Sequence, residues 1–228
     1  IPETVVFSNS KQIINRAVYA VLSIVLIFIA IIFYIIYIKK SNEKEILSLA
    51  YEDKVTYIGN QNKFYRECSK YLLDKPSLNY IIVYFDINNF KMINDTFGYE
   101  FGDNLLITIA KALKEELTEG EVYARLSSDY FAIFCDYKNG RNKIIRKLDN
   151  IRSNIESNLS IVFEISLCVG IYFVEEGEVD IQKAVNKANM ARSVAKGKNI
   201  NYAIYNEDVR NKLSEESMIL DDIKIALV

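Results

Sequence analysis

The sequence contains no histidine. Acid–base relays and nucleophilic triads built on an imidazole are therefore excluded. Cysteine is scarce: Cys68, Cys135 and Cys168 are odd in number, far apart and without zinc-ligand spacing. Cys135 and Cys168 fall in apolar runs, so they read as buried thiols of a reducing compartment. A basic excess is missing too. With 28 Lys and Arg against 30 Asp and Glu, the net charge of −2 gives no field for nucleic acid, and no nucleic-acid partner is expected. No internal repeat or low-complexity tract is present.

In one stretch charge vanishes altogether. Ala17–Ile38, AVYAVLSIVLIFIAIIFYIIYI, carries no charged residue in 22 positions. As a helix it would be about 33 Å long, enough to cross the hydrocarbon core of a bilayer. A signal peptide fits less well, because the run outlasts a typical h-region and no small-x-small site precedes Lys39-Lys40. The segment predicts a single membrane span at 17–38. Lys39, Lys40 and Lys44 after it, against Lys11 and Arg16 before it, favour a cytoplasmic C-terminal side, hence an inner (cytoplasmic) membrane location. Beginning at Ile1 rather than Met, the chain reads as a piece of a longer protein, with 1–16 an extracytoplasmic remnant.

The remainder alternates between strand-like and helix-like patterns. Ser41–Tyr57, polar and free of Gly and Pro, predicts a helix within a 39–57 linker, and Asn60–Leu73 a second helix that Pro76-Ser77 breaks. Tyr80–Phe85 (YIIVYF) predicts a central strand. Asp103–Leu117 carries a stripe of Leu105, Leu106, Ile109, Ala110 and Leu113 and predicts a helix. Glu121–Leu126 and Tyr130–Asp136 predict a hairpin closed by Ser127-Ser128-Asp129. A helix at Asn139–Asn158, a strand at Val162–Val174, a helix at Asp180–Lys196 terminated by Gly197, and a short strand at Asn201–Tyr205 complete the order. The β-α-β-β-α-β sequence over 58–206 predicts an α+β fold, a split βαβ ferredoxin-like palm with helices on one face of an antiparallel sheet.

Palms that polymerise nucleotides hold Mg²⁺ against a triphosphate with two carboxylates on neighbouring strands. Asp86 ends the first predicted strand and Asp129 lies in the hairpin turn, so the topology brings both to one edge of the sheet. An Asp at a strand end is also ordinary turn chemistry.

Three segments add a resemblance: LAYEDKVTYIGNQNKF (Leu49–Phe64), DINNFKMINDTFGYEFGDNLL (Asp86–Leu106) and SSDYF (Ser127–Phe131). Together, over about Leu49–Asn206, they resemble the GGDEF family, the diguanylate cyclases that condense two GTP into cyclic di-GMP. The resemblance implies that Asp86, the Ile87 carbonyl and Asp129 coordinate Mg²⁺, with Asp129 the surviving acid of the signature. It also implies that Lys91 and Lys198 approach the phosphates and that Asn94 and Asp103 bind the guanine edge. A carboxylate accepts from guanine's N1 and N2 donors, a pattern adenine lacks. Asp103 also opens an apolar helix and would serve as its cap.

The chain departs from the family pattern at several places. Ser127 and Ser128 replace two glycines, Tyr130 replaces the second acid, and Asn88 stands where an Asp is common. In the entry segment Tyr57 and Lys63 replace the usual Gly and Arg. A phosphate-contacting Lys expected three residues before the glycine of the Gly-Arg-Asn element falls, counted from Gly197, on Val194, while Lys198-Asn199 keeps the rest. The inhibitory Arg-x-x-Asp site reads TEGE at Thr118–Glu121. The resemblance thus implies a degenerate domain that keeps a GTP and Mg²⁺ pocket as a regulatory module. A slow cyclase, which would need a homodimer because two GTP are joined, and a non-binding transmission domain are the other readings. Residues 207–228 resemble the linker helix to an EAL domain, the cyclic di-GMP phosphodiesterase, which would follow Val228; an ordinary C-terminal helix is the alternative.

Overall fold

The computed structural model describes residues 3–75, 79–137, 141–159, 165–198 and 201–212. The chain divides into two compact units, Ile1–Ser48 and Leu49–Val228. The first is helical throughout its described length, as part of α1 (Glu3–Tyr51). By length and composition Ile14–Tyr51 is apolar enough to cross a membrane.

The second unit is a five-stranded sheet with helices. Its elements run α2 (Gln61–Asp74), β1 (Tyr80–Ile87), α3 (Phe90–Phe97), α4 (Tyr99–Glu116), β2 (Val122–Ser127), β3 (Tyr130–Asp136), α5 (Arg141–Leu159), β4 (Leu167–Phe173), α6 (Ile181–Lys198) and β5 (Tyr202–Ile204). The strand order is β2-β3-β1-β4-β5; β5 joins β4 in parallel and the other pairings are antiparallel. The expected α+β palm is therefore present. Its helices cover both faces of the sheet, however, not one.

β1 explains this. All eight of its residues, YIIVYFDI, are buried, the pattern of a strand covered on both sides. Ile81, Val83, Phe85 and Ile87 face a core completed by Leu105, Ile109 and Leu113 of α4 and Ile151 and Ile155 of α5. Tyr80, Ile82 and Tyr84 face a second core with Phe64 and Cys68 of α2 and Ala184, Val185 and Ala188 of α6. Cys68, Cys135 and Cys168 are all buried.

Several expected boundaries move. α1 gives way at Tyr51 to a turn, short of the Tyr57 expected of the linker helix. In that turn Asp53 Oδ1 accepts from the backbone N–H groups of Val55 and Thr56 and from the Thr56 hydroxyl. Residues 90–97 form a helix of their own, separated from α4 by Gly98 at φ 87. Asp103 consequently lies within α4 rather than at its cap, which is Gly98. α6 runs through Gly197 to Lys198, and Asp180 caps its start by accepting from the N–H groups of Gln182 and Lys183. Pro76-Ser77, Asn139, the first residues of the expected strand from Val162, Asn199 and the tail beyond 212 lie outside the described residues.

Candidate functional site

Asp86 is the next-to-last residue of β1 and points to the α2–α6 side of the sheet, one step beyond Tyr84. It is fully buried. Its Oδ2 accepts from Arg192 Nη1 at 2.8 Å and from Lys196 Nζ at 2.9 Å. Its Oδ1 is buried and has no hydrogen-bond partner among the described residues. Arg192 and Lys196 are one turn apart on α6, so a single helix face delivers both cations. The hydrogen bond to Asp86 raises the Lys196 pKa above the ordinary lysine value, against the opposing effect of burial.

A glycine sets the depth of that helix. A Cβ on Gly170 of β4 would stand 2.0 Å from the Ala188 carbonyl oxygen and 2.3 Å from the Arg192 nitrogen. The missing side chain is what allows the α6 backbone to approach the sheet so closely. Arg192, only 8% exposed, is thereby brought within reach of Asp86. Its Nε donates to Asn189 Oδ1 at 2.9 Å. Its guanidinium carbon lies 5.1 Å from the Tyr130 ring centroid and 6.0 Å from that of Tyr84, and the two rings are 5.7 Å apart. Burial pushes the Tyr84 hydroxyl up to about 12, opposed by Arg192. The tyrosine at the second-acid position thus presents a ring to a guanidinium, an attraction between cation and π-face.

Asp129 sits in the two-residue turn of the β2–β3 hairpin, at the same edge of the sheet as Asp86. The adjoining Ser128 has φ 45, in the left-handed region where a residue with a Cβ costs on the order of 1 kcal/mol. Tyr57, another glycine substitute, has φ 58. The hairpin is held by Arg125, whose Nε donates to the Ser128 carbonyl at 2.6 Å and whose Nη1 donates to Asp53 Oδ1 at 2.8 Å. Burial tends to raise the Asp53 pKa, but the Thr56 hydrogen bonds and Arg125 outweigh it and hold the carboxyl below its usual value. In the TEGE segment Glu121 accepts from the Thr118 N–H and from Lys147 Nζ of α5, so it ties β2 to that helix.

Asn94 and Asp103 form a second locus at the α3–α4 junction. Asn94 lies against Gly102, where a Cβ would fall 1.9 Å from its Oδ1, and that oxygen is buried without a partner among the described residues. Asp103 follows directly and is exposed. Lys91, in the first turn of α3, is exposed as well. Ile87 closes β1 with its side chain in the opposite core. Lys198 is the last residue of α6, and its side chain lies outside the description.

Val194, three residues before Gly197, is buried and apolar. The cations of α6 that reach Asp86 are Arg192 and Lys196, neither of which the sequence analysis singles out. The available signal was two cations four apart in a helix otherwise rich in alanine at its buried positions, Ala184, Ala188, Ala191 and Ala195.

These residues fit a divalent cation poorly. Oδ1 of Asp86 is an open oxygen, but two cations already neutralise its carboxylate, and a third charge centre would be repelled by both. Among the described residues no group of three or more acidic or thiol ligands gathers to compensate.

Residues 50–201 match the family model described as the diguanylate cyclase GGDEF domain. The chain belongs to the GGDEF family. Over 197 residues this GGDEF chain is 30% identical to the signaling protein YkoW of Bacillus subtilis strain 168, covering 80% of this chain and 24% of that one. It is 28% identical over 153 residues to the diguanylate cyclase TpbB of Pseudomonas aeruginosa, covering 64% and 35%. The structure of the TpbB GGDEF domain matches with a TM-score of 0.64 at 26% identity, over 72% of this chain and 99% of that one. The cyclic di-GMP phosphodiesterase PdeR of Escherichia coli K12 is 26% identical over 188 residues, 78% of this chain and 28% of that one. The GGDEF chain spans between 24% and 42% of the length of the curated relatives it matches first.

Proposed function

We propose that this GGDEF domain has lost cyclase turnover and serves as a regulatory guanine-nucleotide-binding module of a membrane-anchored cyclic di-GMP signalling protein. The observation that carries the reading is the Asp86 carboxylate, which Arg192 and Lys196 hold at 2.8 and 2.9 Å. Turnover needs that carboxylate to hold a metal against the triphosphate and a second acid beside Asp129. Here the carboxylate is neutralised internally and Tyr130 stands in place of the second acid. Magnesium is the ion that cyclases of this family typically use. In this chain Asp86, Ile87 and Asp129 are the positions that would hold it, and the pairing of Asp86 weakens that claim.

Binding is a separate matter from turnover. Asn94 and Asp103 are the residues assigned to the guanine edge and Lys91 and Lys198 those assigned to the phosphates, with Lys196 offering a further cation on α6 where Val194 offers none. The 17–38 segment supports an anchor in the cytoplasmic membrane, with 58–206 as the GGDEF domain on its cytoplasmic side. Relatives several times longer, one of them named a phosphodiesterase, support a further domain such as EAL after the 207–228 segment.

The test is incubation of the purified full chain with GTP, with cyclic di-GMP followed chromatographically. No product is expected, together with a rise in melting temperature for GTP that ATP does not give. Product that disappears in Asp129→Ala overturns the loss of turnover. Asp86 and Asp129 do stand at one edge of the sheet, which favours, as a second reading, a slow cyclase working as a homodimer. No shift with GTP at millimolar concentration favours the non-binding transmission domain.

A further inference from the structure

The neutralised carboxylate has a counterpart in charge. Asp86, Arg192 and Lys196 together carry one net positive charge at the buried edge of the sheet, where a carboxylate alone would carry a negative one. The two cations divide the work by exposure. Arg192 has a side chain 9% exposed, held by Asp86, Asn189 and the faces of Tyr84 and Tyr130. Lys196 has a side chain 44% exposed and reaches Asp86 from the solvent side. One cation is built into the core and the other is available to an incoming anion.

We propose that Arg192 is a resident cation standing in for the divalent ion at Asp86, so that the site meets the phosphates of a guanine nucleotide through Lys196 without metal. The nucleotide half of this statement rests on the function proposed above; the closure of Asp86 to metal does not. A guanidinium is charged at every pH the protein meets and forms directed hydrogen bonds with a carboxylate. Three features fix it in place: the close approach of α6 at Gly170, the Asn189 bond to its Nε, and the Tyr130 ring that replaces an acid. An acid at position 130 would compete with Asp86 for the guanidinium and draw it off; an aromatic face holds it without competing for its hydrogen bonds. Arg192 and Tyr130 therefore act as a matched pair, and loss of the second acid becomes part of the device.

The experiment uses the full chain in mild detergent, with Mn²⁺ alone as the metal probe and bound Mn²⁺ counted by electron paramagnetic resonance. The wild type is expected to take up no Mn²⁺ that depends on Asp86. Arg192→Leu is expected to take up one ion per chain, and Asp86→Asn added to Arg192→Leu to lose it. Arg192→Lys, which keeps the charge, should stay closed. One Mn²⁺ per wild-type chain, lost in an Asp86→Asn variant whose circular dichroism matches the wild type, overturns the proposal. A folded Arg192→Leu that binds no Mn²⁺ overturns it also. In parallel, GTP affinity is measured by calorimetry in EDTA and in Mg²⁺. The wild-type values should agree within about twofold, whereas a tenfold gain from Mg²⁺ overturns metal independence. GTP binding in neither buffer, with the Mn²⁺ results as expected, removes the nucleotide half and the function it rests on, and leaves the resident cation standing.

Discussion

The two faces of β1 are built from the same eight residues and have different chemistry. On the α4–α5 side Ile81, Val83, Phe85 and Ile87 are all apolar and their neighbours are apolar. On the α2–α6 side Tyr80, Ile82 and Tyr84 lead to Asp86, and the overlying helix brings an arginine and a lysine to it. Alternation of side chains along a strand lets one segment serve as packing on one face and as a charged site on the other. The apolar face fixes the strand's position, and the other face then places a carboxylate at the sheet edge.

Substitutions along β1 sharpen the contrast. Phe85→Ala, which empties space against Phe131, should give the largest loss, about 4 kcal/mol in urea denaturation. Asp86→Ala strands the Arg192 guanidinium and should cost about 3 kcal/mol. Converting the charged face into a copy of the apolar one, with Asp86→Leu and Arg192→Leu together, should recover most of that loss. If the double variant is as unstable as Asp86→Ala, the two faces differ in more than charge.

Gly170→Ala forces α6 outward and should cost about 2 kcal/mol, with weaker coupling between Asp86 and Arg192 in a double-mutant cycle. Ser128→Gly relieves the left-handed serine and should stabilise the chain by about 1 kcal/mol. The smallest expected effect is acid sensitivity at Asp53. Its folded carboxyl titrates below its unfolded value, so the stability it contributes is complete above the unfolded range and is lost as pH falls through the folded value. Asp53→Asn should be less stable than wild type at pH 6, and the difference should shrink by pH 3.

Much of this was legible in the sequence. The YIIVYF run marked the central strand, the two runs around Ser127–Asp129 marked the hairpin, and the Asp86–Leu106 motif carried the family. The burial of Asp86 was not legible, because partners 106 and 110 residues away leave no local pattern. The second layer of helices leaves no mark of its own in the sequence: the unbroken apolar run of β1 signals burial on both faces but does not name the elements that cover them. α3 was missed because eight residues give too few turns for a period to stand out, and Gly98 is the only mark of its end. The cations of α6 were not legible either: three residues back from Gly197 falls on Val194, and nothing local marks Arg192 and Lys196 as the pair that reaches the strand.

Gly170 carries a consequence for how such a domain can change its sequence. Position 170 and position 192 are coupled through main-chain clearance, independently of any charge. A chain that gained a methyl group at 170 would have to lift α6, and whatever cation stood at 192 would retreat from the strand by the same step. The reach of the arginine is thus governed by a residue that never touches the carboxylate, so substitutions at these two positions should be accepted jointly or not at all.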